Sequence, residues 1–182
     1  MKPTEFMQQQ AIVDLIDGMA TELKIRLQQG RISDPVMIGI HTGGVWVAKQ
    51  LHQTLGISEE LGTLNISFYR DDFSRIGLNP QVEPSNIPFE VENRHIILVD
   101  DVLQTGRTIR AAMNEIFDFG RPASIILATL IEKDGRELPI VADVVGMKPT
   151  LKEGDYISLT GPDPLTLVIG KPSKDSEGQK LT

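Results

Sequence analysis

"HIILVDDVLQTGRTIRAAMNEIF", His95 to Phe117, is the stretch whose reading decides the fold. It opens as an apolar, β-branched run, the pattern of a buried strand. Two adjacent carboxylates, Asp100 and Asp101, end that run. Val102, Leu103 and Gln104 follow, and Thr105-Gly106-Arg107-Thr108 then leads into a helix expected from Gly106 to Phe119. Gly106 lets a ligand approach the backbone closely. The helix behind it presents unpaired N–H groups and the positive end of its dipole. With two threonine hydroxyls and the Arg107 charge, the loop is an anion seat, most naturally for a phosphate. Two aspartates beside a phosphate repel it unless they bind something else, such as sugar hydroxyls or Mg²⁺ through its waters. A ribose 5-phosphate, with a phosphate at one end and a diol in the middle, satisfies both halves.

Outward from this stretch, helical and strand patterns alternate. Ile12, Leu15, Ile16, Met19, Leu23 and Leu27 recur at spacings of three and four, so Thr4 to Gln29 is expected as one amphipathic helix stopped by Gly30. "PVMIGI" (Pro35–Ile40) reads as a buried strand, followed by Thr42-Gly43-Gly44 and a helix-like "VWVAKQLHQTL" ended by Gly56. "TLNISFYR" alternates and reads as a strand, with Leu64, Ile66 and Phe68 on one face. The segment from Asp71 to Arg94, with Pro80, Pro84 and Pro88, is expected to be a long loop. "ASIILATLI" and "IVADVVG" read as further strands, and "YISLT" and "LTLVI" as a final antiparallel pair. This alternation indicates an α/β fold around a mostly parallel sheet. Ligands of such sheets lie beyond the carboxyl ends of the strands. "HTGG", "YRDD" and "DDVLQTGRT" all follow strands, so all three turns are expected at one edge.

The bulk numbers narrow the function classes. The chain of 182 residues suits one domain, expected over 1–170, with a polar, disordered tail over 171–182. It has no cysteine, which excludes disulfides, thiolate metal sites and a cysteine nucleophile. A net charge of −7 argues against nonspecific binding to nucleic acid or anionic membrane. The N-terminus lacks a signal-peptide pattern and no apolar run is long enough to span a bilayer, so the expected location is cytoplasmic, without a membrane partner. "GKPS" at Gly170 lacks the upstream glycine of a nucleotide-binding P-loop, and His41, His52 and His95 show no metal-ligand spacing. His52 is expected on a helix surface, His95 at a strand start, and Trp46 in packing.

"ILVDDVLQTGRT" (Ile97–Thr108) resembles the phosphoribosyl pyrophosphate (PRPP) motif of type I phosphoribosyltransferases. "IGIHTGGVWVAKQL", "ISFYRDDFS" and "GRELPIVADVVG" extend the likeness, in order, from about Ile38 to Gly146. It points within that family to the pyrimidine operon regulators that carry uracil phosphoribosyltransferase activity. The resemblance implies a central, mostly parallel sheet flanked by helices, with a long flexible loop. It implies PRPP, uracil and UMP as small-molecule partners, Mg²⁺ as cofactor, and a homo-oligomer. Asp100 and Asp101 would contact the ribose hydroxyls and the metal-bound PRPP, holding the metal indirectly. The run from Val102 through Leu103, Gln104, Thr105, Gly106, Arg107 and Thr108 would wrap the 5-phosphate. Thr42, Gly43 and Gly44 would receive pyrophosphate, and Arg70, Asp71 and Asp72 would close over the reaction. The "ELPIVADVVG" region would lie near the base.

Two departures bear on activity. Many relatives carry arginine at the position of Gly43, and its absence removes a positive charge from the pyrophosphate loop. Enzymes acting on 6-oxopurines usually carry Asp at the position of Gln104, which favours a pyrimidine here. Two other readings compete with catalysis. One is an RNA-binding attenuator, but Lys24, Arg26 and Arg31 are interspersed with Asp14, Asp17 and Glu22, and Val141 stands where relatives often have a basic residue. The other is a nucleotide sensor without turnover.

Overall fold

The computed structural model describes residues 3–66 and 84–171. Its main sheet is parallel, ordered β3-β2-β4-β5-β6, with β2 Pro35–Ile40, β3 Gly62–Leu64, β4 His95–Leu103, β5 Ser124–Glu132 and β6 Val144–Met147. The helices α1 Gln9–Gln29, α2 Gly43–Leu55 and α3 Arg107–Phe119 flank it. Alternation along the central strands assigns their faces. Met37, Ile97 and Val99 pack with α1 and α2 residues such as Ile16, Leu23 and Leu51. Val36, Ile38, Ile40, Ile96 and Leu98 pack with Ile109, Ala112 and Ile116 of α3. Covered on both faces, these strands are apolar throughout, which is why they read as continuous runs. A second sheet, antiparallel and ordered β1-β8-β7, is built from Thr4–Met7, Thr166–Gly170 and Tyr156–Thr160.

The expected final antiparallel pair is therefore β7 and β8, and Gly56, in the left-handed region at φ 64°, ends α2 as expected. Three expectations need correction. Residues Thr4–Met7 do not extend the first helix. They pair with β8, Thr4 opposite Ile169, and α1 starts at Gln9. "TLNISFYR" contributes only Gly62–Leu64 to the sheet, although Ile66 is still buried; Phe68 to Arg70 lie outside the described residues. "IVADVVG" becomes a strand only at Val144, because Asp143 bonds Leu127 by its own route. The Asp143 N–H donates to the Leu127 carbonyl at 2.8 Å, and its Oδ2 accepts from the Leu127 N–H at 2.9 Å.

The described end of the long loop is anchored. Thr63 and Asn86 exchange two backbone hydrogen bonds of 2.7 and 2.8 Å, and the Asn65 N–H donates to Ser85 Oγ at 2.9 Å. Residues 71–83, and all of the tail except Lys171, lie outside the described residues. His52 is half-buried and its Nε2 lies 2.7 Å from the Glu59 carbonyl, while His95 bonds Ser124 across the sheet at 2.8 Å. Trp46 packs against the α1–α2 core, as expected.

Leu23 is fully buried where α1 meets this core. Leu23→Ala is expected to cost about 2–5 kcal/mol of stability, read from urea denaturation, because the rigid sheet beneath cannot close the cavity.

Candidate active site

The site is built where β2 ends beside β4, which runs on through Asp100 and Asp101 to Leu103, paired with β5. The two strands are parallel, with Gly39 opposite Val99, so the turn after Ile40 lies beside the two acids of β4. This brings His41 to Gly44 against Asp100 and Asp101. The contact is close: a Cβ on Gly44 would stand 2.7 Å from the Val99 carbonyl oxygen and 2.9 Å from Asp100 Cα. Only glycine lets the first turn of α2 lie directly on the backbone of β4. The His41–Thr42 peptide in this turn is cis.

The two acids differ. Asp100 is 1% exposed, and its Oδ1 accepts the Asp101 N–H at 3.0 Å. Asp101 is partly exposed, with its side chain over Gly43. The pair thus offers one fixed and one more accessible carboxylate at the end of the central strand.

Beyond them comes the loop expected to seat an anion. Gly106 has φ 91°, a conformation natural to glycine, and is the N-cap of α3. The N-cap residues Thr42 and Gly106 make no side-chain cap, and neither helix has an acidic residue in its first turn. Both helix starts direct the positive end of their dipoles to this edge. The loop from Val102 to Thr108 is held from behind by the segment after β5. Leu103 O accepts the Lys133 N–H at 2.8 Å, and Thr105 O accepts from Glu137 and Leu138 at 3.1 and 3.0 Å. The Thr105 hydroxyl accepts the Arg107 N–H at 3.2 Å, and the Arg107 guanidinium donates to Glu137 at 2.8 Å. Val102 and Thr108 are half-buried on either side of this loop.

A cavity of about 190 Å³ opens beside Gln104. Lys133, Asp134, Leu151 and Asp155 contribute to its wall. Sequence reasoning missed these residues, because they come from the end of β5 and the approach to β7. The only local signal was the turn-forming "KEGD", whose Gly154 has φ 81°. The "ELPIVADVVG" region straps the loop from Val102 to Thr108 and does not line this cavity. A second depression, about 240 Å³ between the C-terminal ends of α1 and α2, contains none of the expected site residues.

The structure thus brings together Thr42, Gly43, Gly44, Asp100, Asp101 and the loop from Val102 to Thr108. Arg70, Asp71 and Asp72 lie outside the described residues. Among the described residues no group of three or more His, Asp or Glu forms a metal cage. Two carboxylates fit Mg²⁺ in another way, since that ion keeps several waters and binds substrate phosphates.

This edge, with two helix starts around an acidic strand end, is that of a phosphoribosyl-transferring α/β fold. The chain belongs to the phosphoribosyltransferase family: the model of the phosphoribosyl transferase domain matches residues 4–157. The bifunctional protein PyrR of Nitrosococcus oceani is 59% identical over 157 residues, covering 85% of this chain and 89% of that protein. The bifunctional protein PyrR of Pseudomonas fluorescens is 57% identical over 156 residues, covering 86% and 93%. In fold, the chain is similar to a hypoxanthine-guanine phosphoribosyltransferase of Bacillus anthracis. Their TM-score is 0.65 at 15% identity, over 85% of this chain and 86% of that one. Among the described residues no helix is long and apolar enough to cross a membrane.

Proposed function

We propose that the protein is a cytoplasmic uracil phosphoribosyltransferase, converting uracil and PRPP to UMP and pyrophosphate, which also serves nucleotide-responsive regulation of pyrimidine biosynthesis genes. A single catalytic domain over 1–170 carries the reaction. The observation that carries this reading is the junction of β2 and β4. An acidic pair, a glycine turn and a helix start behind Gly106 lie within one edge, matching the diol, the leaving group and the 5-phosphate of PRPP. Asp100 and Asp101 orient the ribose, and their charge favours the positive charge that develops at the anomeric carbon. Thr105 to Thr108 hold the 5-phosphate, and Thr42 to Gly44 receive pyrophosphate. Arg70 and Asp71 are assigned to closing the site. Mg²⁺, carried in with PRPP, neutralises the departing pyrophosphate. Positioning the two reactants supplies much of the remaining effect.

The base is assigned to the cavity beside Gln104. Glutamine is no general base, so it does not serve a purine N7 as a carboxylate would. Lys133 and Asp155 give the cavity a donor and an acceptor suited to a pyrimidine's carbonyl and N–H groups.

The relatives' name, bifunctional, supports a second role beside catalysis; we assign that role to gene regulation, with RNA as its partner. Of the basic residues at the first helix, Arg26 is engaged within the protein, pairing with Glu22 at 3.7 Å and with Asp143 at 3.5 Å. A homo-oligomer belongs to the same reading, since Phe117 and Phe119 of α3 remain 55% and 49% exposed.

The test is product formation from PRPP and Mg²⁺ with uracil, orotate and hypoxanthine in parallel. UMP and pyrophosphate are expected with uracil alone. Turnover of hypoxanthine instead would reassign the base, and binding of PRPP without turnover of any base would leave a nucleotide sensor.

A further inference from the structure

Gly43, where many relatives carry arginine, is not merely a position without charge. A Cβ placed on it would stand 2.6 Å from Asp101 Cγ and 2.9 Å from Asp101 Cβ. Close-packed atoms do not share such volume. Asp101 in its present place and any side chain at residue 43 therefore exclude each other. The acid of β4 reaches across to the neighbouring turn and fills the space over the first residue of α2. That helix start supplies orphan N–H groups and the positive end of a dipole, and α2 has no acidic residue of its own in its first turn.

We propose that the Asp101 carboxylate is a resident anion in the pyrophosphate seat, lying over Gly43 in the ligand-free protein and displaced when pyrophosphate enters the turn. The proposal rests on the reading of Thr42–Gly44 as the leaving-group seat. Gly43 is then a positioning residue, whose bare Cα makes room for the acid. Entry of the leaving group and release of Asp101 toward the ribose become one event. An empty site holds its own counter-charge, and a partly bound anion is expelled by it.

The test uses the full chain and inorganic pyrophosphate without divalent metal, followed by calorimetry. Asp101→Asn keeps the side chain's shape and removes its charge. It is expected to bind pyrophosphate about tenfold more tightly than the wild type, the scale of one short-range like-charge repulsion in a partly hydrated site. Equal or weaker binding overturns the displacement, as does a failure of both proteins to bind. A ligand-free arm tests the berth itself. Gly43→Ala is expected to lower the melting temperature of the wild type, and to lower it less than half as much in an Asp101→Gly background, which removes the Asp101 Cβ together with its carboxyl group. Equal shifts in both backgrounds overturn the berth. Uracil turnover by the wild type is scored separately. If UMP forms but the Asn variant gains no affinity, displacement fails and the proposed function stands. If the variant gains affinity but no base is turned over, the berth stands and the proposed function fails.

Discussion

Asp100→Asn is expected to reduce kcat/KM for uracil by about 10²–10³-fold, the usual scale for removing one preorganised electrostatic contact to a transition state. The effect should be large because the group is already placed. Asp100 is 1% exposed at the end of the central strand, with β2 on one side and β5 on the other. Its Oδ1 is engaged by the Asp101 N–H, so the carboxylate does not have to be ordered on binding. Asparagine keeps the volume and the accepting oxygen that meets the Asp101 N–H, loses the charge and turns the second oxygen into an NH2 donor. The fold should survive: the urea midpoint is expected to stay near that of the wild type. Paired measurement of kinetics and denaturation separates the two effects. Wild-type kinetics with an intact fold would remove Asp100 from the reaction.

Why this residue was legible in sequence is clear from its surroundings. Strand, acids, loop and helix follow one another over His95 to Phe119 without interruption, so local rules see the whole run. The turn at Gly43 and Gly44 was legible for a similar reason, since it joins β2 directly to α2. What was lost depends on distant partners. Thr4 to Met7 adjoin an amphipathic helix and take on its periodicity, but their hydrogen bonds go to Leu167, Val168 and Ile169 at the other end of the chain. The cavity beside Gln104 draws on Lys133 and Asp155, which no spacing rule connects. Asp143 read as a polar residue inside a strand. It breaks the strand, because its side chain competes for the Leu127 N–H. Gly43 is the most instructive case. A sequence registers the charge that is missing there, whereas the fold shows that a neighbouring acid fills the volume.

Gly44→Ala is expected to harm the protein more than Gly43→Ala, although the two glycines are adjacent and the added methyl is the same. At Gly43 the obstruction is a side chain: rotation of Asp101 swings its carboxyl group away and leaves only its Cβ, at 2.9 Å. At Gly44 the obstruction is main chain: the Val99 carbonyl oxygen at 2.7 Å and Asp100 Cα at 2.9 Å. Neither can rotate away, because β4 is held on both sides by β2 and β5. Relief requires α2 to move off the sheet, and α2 carries Val47, Ala48 and Leu51 into the core. Overpacking of this kind costs about 1–3 kcal/mol, and the upper end is expected where backbone meets backbone. The same shift separates the glycine turn from the acidic pair. A displacement near 1 Å between groups that act on one substrate lowers turnover by about 10²-fold. Gly44→Ala should therefore lose stability and kcat/KM together, in denaturation and steady-state assays of the same preparation. Lost stability with wild-type turnover would show that the spacing of the two turns does not govern the reaction. Wild-type values of both would show that α2 does not rest on β4 as closely as the site requires.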